Sequence, residues 1–340
     1  MNLQLNQQFI YDSCLIETTV PLADKNWFKT GGSAAYFCEP MSAQEVQDAV
    51  RFAHEHDQSI TLIGKGANML ISDDGIDGLV LRPQITEISV RDGGEAVAFI
   101  TAGSGVSLDT LITYCLANNM LGLEEFSGIP GTVGGAVYIN LHYFEFLLSQ
   151  FLVKGTVLDI QTGELLIVDA AWFAFGYNTS TLHNGRHILI DATFRVYKGD
   201  CSNDIFYAQG RRDEIIRHRN QRYPSINTCG SFFRNFHPYE VTREVNGRKA
   251  IWVAYYLDKI GVKGELRVGD AQVSHQHANM IVNLGSATSA DIIGVARAMQ
   301  ELVYAEFGII PQPECRLMGF DDYPLIGSIP STSFQSSPRL

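Results

Sequence analysis

Apolar positions along this chain recur with two periods. Behind the capping-box pattern Ser42-Ala43-Gln44-Glu45, residues Val46, Ala49, Val50 and Ala53 fall on one helical face. Residues 107–118 repeat that spacing with Leu108, Leu111, Ile112 and Cys115 inward. Residues 291–307 carry it furthest, with Ile292, Val295, Met299, Leu302 and Val303 in register. Two further helices are predicted over 204–219, basic at its end, and over 251–260, ending at Gly261. Short β-branched runs read as strands at 34–38, 59–63, 70–71, 79–81, 96–102, 153–160, 165–168 and 187–196. Residues 274–283 read as a strand carrying polar groups. The first 80 residues thus give β-α-β with a glycine loop at a strand end, the edge where open α/β sheets place ligands.

Between Ser127 and Ala136 both periods fail. Gly128, Gly131, Gly134, Gly135 and Pro130 crowd this stretch, and no charged side chain interrupts it. Glycine permits positive φ and close approach to the main chain; proline fixes φ and removes a donor. The stretch is expected as a loop, neither helix nor strand. It reads either as a wrapping loop with N–H groups free for phosphate or as a buried multiple turn. Gly64-Lys65-Gly66-Ala67-Asn68 is a second such loop, 60 residues earlier. It is not a complete dinucleotide fingerprint, but two loops of this kind suit two phosphates.

Composition narrows the classes. The 340 residues, 46% hydrophobic and 18% charged, suit two or three globular domains. A net charge of −12 argues against nucleic acid as a partner. No apolar run reaches the roughly 18 residues of a membrane span, and residues 1–10 lack the pattern of a secretory leader. Six scattered cysteines without a Cys-x-x-Cys pair suggest neither zinc nor a disulfide frame, so a cytoplasmic protein is expected.

Three features could carry chemistry. Ser231 stands between Gly230 and Phe232-Phe233, as a site donor or a satisfied core serine. Glu314, fixed by Pro311 and Pro313 beside Ile309 and Ile310, is either a carboxyl with a raised pKa or a surface-loop glutamate. His275 and His277 alternate, but no third ligand accompanies them, and no metal is expected.

Taken in order, Lys29-Thr30-Gly31-Gly32, Gly64 to Leu70, Ala102-Gly103-Ser104-Gly105, Gly122 to Asn140, Gly230-Ser231-Phe232-Phe233-Arg234-Asn235, Gly261-Val262-Lys263-Gly264, Ser274 to Asn283 and Pro313-Glu314 resemble the UDP-N-acetylenolpyruvoylglucosamine reductase family, also called MurB. The resemblance spans about residues 26–320. It implies an α+β flavoenzyme of three domains: FAD-binding subdomains of the vanillyl-alcohol-oxidase (PCMH) type at 1–82 and 83–200, a substrate-binding α+β domain at 201–320, and a tail at 321–340. It implies that Gly64, Lys65, Gly66, Ala67, Asn68, Met69 and Leu70, with Gly128, Ile129, Pro130, Gly131, Thr132, Gly134 and Gly135, hold FAD. It further implies that NADPH reduces the flavin, which passes hydride to C3 of the enolpyruvyl group of a UDP-sugar. Ser231 takes the position of the proton donor to C2, and Glu314 that of the carboxyl stabilising the enolate-like intermediate. Tyr177 takes the remaining catalytic position, and Asn178, Arg234, Asn235 and Asn140 are implied to contact substrate.

The chain departs from the family pattern at three places. Asn178 stands where the family's Tyr-Arg-x-Ser motif has arginine. Asn140-Leu141-His142-Tyr143-Phe144-Glu145 replaces a small-residue segment, and Phe236 replaces a proline. An asparagine cannot make arginine's bidentate charged pair, so Arg186 or one of Arg211 to Arg222 is expected to replace it. Two other readings stay open: a related FAD oxidoreductase acting on another nucleotide sugar, and a flavin-binding homologue without reductase activity.

Overall fold

The computed structural model describes residues 7–224 and 227–327. The tail expected at the end of the chain lies, from residue 328 on, outside the described residues.

The first region pairs β1 (Gln8–Tyr11), β2 (Cys14–Pro21), β3 (Ser33–Cys38), β4 (Ile60–Leu62) and β6 (Ile76–Leu81) in the order β1-β2-β3-β6-β4. Helix α1 (Ala43–Glu55) starts where the capping pattern predicts, with Ser42 Oγ accepting from Glu45 N–H. Its buried Val46, Ala49, Val50, Phe52 and Ala53 share a core with Leu79 and Leu81 of β6. The β-α-β reading holds in outline: β3 and β4 both run parallel to β6, which lies between them. β5 (Met69–Ile71) leaves this sheet to serve another purpose below.

The second region is a six-stranded antiparallel sheet in the order β13-β12-β14-β8-β7, formed by β7 (Ile88–Asp92), β8 (Val97–Gly103), β12 (Leu152–Asp159), β13 (Leu165–Asp169) and β14 (His187–Lys198); β9 (Met120–Leu121) also pairs with β14. Helices α2 (Leu108–Ala117) and α3 (Val133–Tyr138) pack in its core, and β10 (His142–Tyr143) and β11 (Phe146–Leu147) form a small hairpin. Here the expectation of a loop without helix is corrected. The second half of the glycine-rich stretch is helical because Thr132 caps it, Oγ1 accepting from Gly135 N–H. Helix α4 (Ser202–Arg222), on the far side of the 200/201 division, buries Ala208 and Ile215 in this second core.

The third region holds the hairpin β15 (Glu244–Val245) and β16 (Arg248–Lys249), helix α5 (Val253–Lys259), the antiparallel sheet β17 (Arg267–Val268), β18 (Ala271–Val273) and β19 (Ile281–Asn283), and helix α6 (Ser289–Phe307). The strand expected over 274–283 is confined to β19. Ser274 Oγ accepts from Gln276 N–H and His277 Nδ1 from Asn279 N–H, so polar side chains turn this backbone away from a ladder. Finally β20 (Arg316–Met318) pairs in parallel with β5, Arg316 opposite Met69, and so ties the end of the chain to the first glycine loop.

Candidate active site

One wall of the main cavity, of about 510 Å³, is made of backbone. The loops around Gly64 and Gly128 meet there. A Cβ on Gly64 would lie 2.8 Å from Thr132 Oγ1, so the contact between the loops admits no side chain. Gly66 has φ +66°, and a Cβ there would fall 2.5 Å from Asn26 Cα. Among the described residues the N–H groups of Gly64, Lys65, Gly66, Ala67 and Asn68 donate to no protein acceptor, nor do those of Gly128, Gly131 and Thr132. Runs of unused backbone donors facing a cavity suit the diphosphate of a dinucleotide cofactor. Arg219 adds charge. Its Nε donates to the Gly128 carbonyl at 3.0 Å and its guanidinium lies over the rings of Tyr143 and Tyr223. Among the described residues no carboxylate pairs with it, and burial lowers its pKa.

The opposite wall is made of side chains on three crossing segments. Ser231 bridges to Met280 and Phe233 to Pro313, so residues 231–233 lie between the 279–280 and 313–315 segments. Asn279, 3% exposed, holds the middle piece from both sides. Its carbonyl accepts from Phe232 N–H at 2.8 Å, its Oδ1 accepts from Phe233 N–H, and its Nδ2 donates to the Phe233 carbonyl. The Phe232 carbonyl accepts from Glu314 N–H at 2.8 Å. These bonds place Ser231 and Glu314, 83 residues apart in sequence, on one cavity wall. Asn68 connects the two walls: its Nδ2 donates to the Glu314 carbonyl at 3.4 Å and its own carbonyl accepts from Arg316 N–H at 3.1 Å.

Protein surrounds Glu314, though part of its surface opens onto the cavity. Desolvation raises its pKa to about 7, and the facing Asn178 amide offsets part of the rise. The interaction is loose: neither amide atom of Asn178 has a hydrogen bond of proper geometry within the chain. Near pH 7 Glu314 therefore exists partly as the neutral acid, able to donate a proton or hydrogen bond. The surface-loop alternative for this residue is set aside. Burial also raises the pKa of Tyr177, with Glu314 contributing; its ring lies between His142 (5.3 Å) and His237 (6.4 Å).

Most residues singled out from sequence converge here. Gly64 to Met69, Gly128 to Pro130, Thr132, Gly134, Gly135, Tyr177, Asn178, Ser231, Asn235 and Glu314 line the main cavity. Four residues lie elsewhere. Leu70 is fully buried in the third region's core, because alternation along β5 turns it away from Met69. Gly131 is not on the wall. Asn140 is buried as a brace, Nδ2 donating to the Gly176 carbonyl and Oδ1 accepting from Ser149 N–H. Arg234 lines a smaller adjoining cavity and is held bidentately by Glu240 at 2.7 and 2.8 Å. Among the suggested replacement cations, Arg186 is paired with Asp159, Arg211 with Glu125 and Arg212 with Asp109, while Arg219 reaches the cavity. Sequence reasoning missed Asn279 as a clamp and Arg316 on the wall. Arg316 was findable, since it is two residues beyond Glu314 in an extended segment and so shares its face. Among the described residues no group of three His, Cys, Asp or Glu side chains is placed to hold a metal ion.

A cavity walled by free backbone donors on one side and by a hydroxyl and a partly protonated carboxyl on the other suits a dinucleotide-dependent enzyme. The comparisons agree. Residues 34–169 match the model of an FAD binding domain, and residues 221–318 that of the C-terminal domain of UDP-N-acetylenolpyruvoylglucosamine reductase. The chain is 35% identical over 318 residues to the UDP-N-acetylenolpyruvoylglucosamine reductase of Synechococcus sp. (strain JA-3-3Ab), covering 92% of this chain and 94% of that one. It is 33% identical over 301 residues to that of Exiguobacterium sibiricum, covering 88% and 91%. Its fold matches the crystal structure of UDP-N-acetylenolpyruvylglucosamine reductase (MurB) from Thermus caldophilus with a TM-score of 0.71, at 25% identity, over 93% of this chain and all of that one. The chain belongs to the UDP-N-acetylenolpyruvoylglucosamine reductase family and is an FAD-dependent oxidoreductase of that kind. Among the described residues no helix is long and apolar enough to cross a membrane.

Proposed function

We propose that this protein reduces UDP-N-acetylglucosamine-enolpyruvate to UDP-N-acetylmuramate with NADPH, a step in peptidoglycan precursor synthesis, and that it does so in the cytoplasm. The observation that carries this reading is the pairing of Ser231 and Glu314 on the wall facing the glycine loops. The Gly64 to Asn68 donors, the loop at Gly128 and Arg219 would hold FAD, which when bound supplies the hydride chemistry. Adding hydride to an enol ether beside a carboxylate leaves negative charge at the neighbouring carbon and carboxylate. Ser231 would deliver the proton that quenches it, and Glu314, as the neutral acid, would donate a hydrogen bond to the developing enolate. An ionised Glu314 would instead repel that charge. Asn279 and the Glu314 N–H fix the backbone of Phe232 and Phe233, and so fix where Ser231 stands on the wall.

The test mixes purified yellow protein with NADPH and the enolpyruvyl nucleotide and follows the nicotinamide absorbance. Turnover with this substrate, and none with nucleotide sugars lacking the enolpyruvyl group, supports the reading. Bound flavin without turnover rejects it in favour of another nucleotide sugar or a binding protein without reductase activity.

A further inference from the structure

The six cysteines are scattered in sequence, and all six are free thiols. Folding brings Cys229 and Cys315, 86 residues apart, into hydrogen-bond contact through their side chains. Backbone bonds fix that contact. The Phe232 carbonyl accepts from Glu314 N–H at 2.8 Å and from Cys315 N–H at 3.2 Å, and Gly230, at φ +82°, turns the chain between Cys229 and Ser231. Each thiol otherwise reaches only the carbonyl of the next residue, at 3.8 Å. Both are buried in the core of the third region.

The two positions are not equivalent. Cys229 lines the main cavity two residues before Ser231, whereas Cys315 follows Glu314 and lies behind the wall. A small solute entering the cavity meets residue 229 and not residue 315. Burial holds the Cys315 thiol well above its usual range, so it stays protonated and is a poor first target for an oxidant. The other close pair, Cys14 and Cys38, sits in the core of the first region and lines neither cavity. Cys201 is exposed.

We propose that Cys229 and Cys315 are a redox-active pair that a peroxide closes to a disulfide, and that closing it disarms the wall carrying Ser231 and Glu314. The Cys229 sulfur attacks the peroxide O–O bond, which breaks to leave a sulfenic acid on Cys229 and one water. The Cys315 sulfur then displaces the hydroxyl of that sulfenic acid, forming the S–S bond and releasing a second water. Two electrons pass from the sulfurs to the peroxide, both thiol protons end in water, and a dithiol reverses the closure. A disulfide holds its sulfurs about 2.05 Å apart, well inside thiol hydrogen-bond contact, so closure draws the Ser231 and Glu314 segments together. A shift of about 1 Å at a reacting group costs on the order of 100-fold in rate. That effect on turnover rests on the function proposed above; the bond itself does not.

The test treats flavin-loaded protein with hydrogen peroxide, using Cys201→Ser throughout to remove the exposed thiol. Tryptic mapping without reductant should find residues 223–234 joined to residues 298–316, with Cys14, Cys38 and Cys115 still open to alkylation after denaturation. Turnover of the enolpyruvyl nucleotide should fall roughly 10- to 100-fold and recover with dithiothreitol. Cys315→Ala should turn over close to the wild-type rate before treatment, give no joined peptide, and show no loss that dithiothreitol reverses. Cys229→Ala, as a second variant, should likewise give no joined peptide. Full alkylation of both cysteines after peroxide, or a link confined to Cys14 and Cys38, overturns the pair. A joined peptide in protein whose turnover is unchanged overturns the disarming. If the untreated protein does not turn the enolpyruvyl nucleotide over, the functional reading falls, and the joined peptide alone decides the pair.

Discussion

The two walls of the cavity are built on opposite principles. The wall proposed to hold FAD is backbone: two glycine loops that meet where no Cβ fits and present unused N–H groups. The wall proposed to meet substrate is side chain: Ser231, Asn178, Glu314 and Arg316, set by bridges among segments that are distant in sequence. A backbone wall tolerates little change in glycine but is indifferent to many neighbouring side chains. A side-chain wall can change its specificity by single substitutions, and position 178 is one where this chain departs from its family's pattern.

If the division is right, the largest effect belongs to the reacting wall. Ser231→Ala should cut turnover roughly 10²- to 10⁴-fold while the protein still purifies yellow, which steady-state assay and flavin absorbance check together. Glu314 separates function from stability. Its pKa rises on folding from 4.5 to about 7, so its protonated form favours the folded state below about pH 4.5, and that contribution is lost as pH climbs through 7. Glu314→Gln should therefore unfold at higher denaturant than wild type at pH 8, by roughly 3 kcal/mol, with no difference at pH 4, while losing activity. Equal stability of the two at pH 8 would place Glu314 in a wetter setting than the structure shows. On the backbone wall, Gly66→Ala meets both an unfavourable φ and Asn26 Cα; it should cost roughly 1–3 kcal/mol and lose flavin on gel filtration. The smallest effect is expected from Asn178→Arg. A guanidinium beside Glu314 lowers its pKa, so the alkaline limb of the pH–rate profile should move down by about one unit with activity below it retained.

The contrast also explains what the sequence made legible. Backbone-built features announce themselves locally. Glycines at 64, 66, 128, 134 and 135 located the backbone wall, and the capping pattern at Ser42 and the periodic stretch from Ser107 placed helix starts within a residue. The misreadings were places where a side chain decided the backbone. Thr132 turned half of the glycine stretch into a helix, and Ser274 and His277 turned an expected strand into a loop. On the side-chain wall Ser231 and Glu314 stood out locally as candidates, but their proposed roles came through resemblance. Nothing local says that Glu314 N–H bonds to Phe232, or that Arg219 rather than Arg186 reaches the cavity. Such facts depend on chain segments from all three regions packing together, and a one-dimensional pattern does not carry them.

The central claim is that Ser231 acts on the substrate and not on the cofactor. Rapid mixing under anaerobic conditions tests it by following the flavin band through each half-reaction separately. Ser231→Ala should be reduced by NADPH at the wild-type rate and then be reoxidised by the enolpyruvyl nucleotide at least 100-fold more slowly. Parallel loss of both half-reactions, or reoxidation at the wild-type rate, would contradict the account.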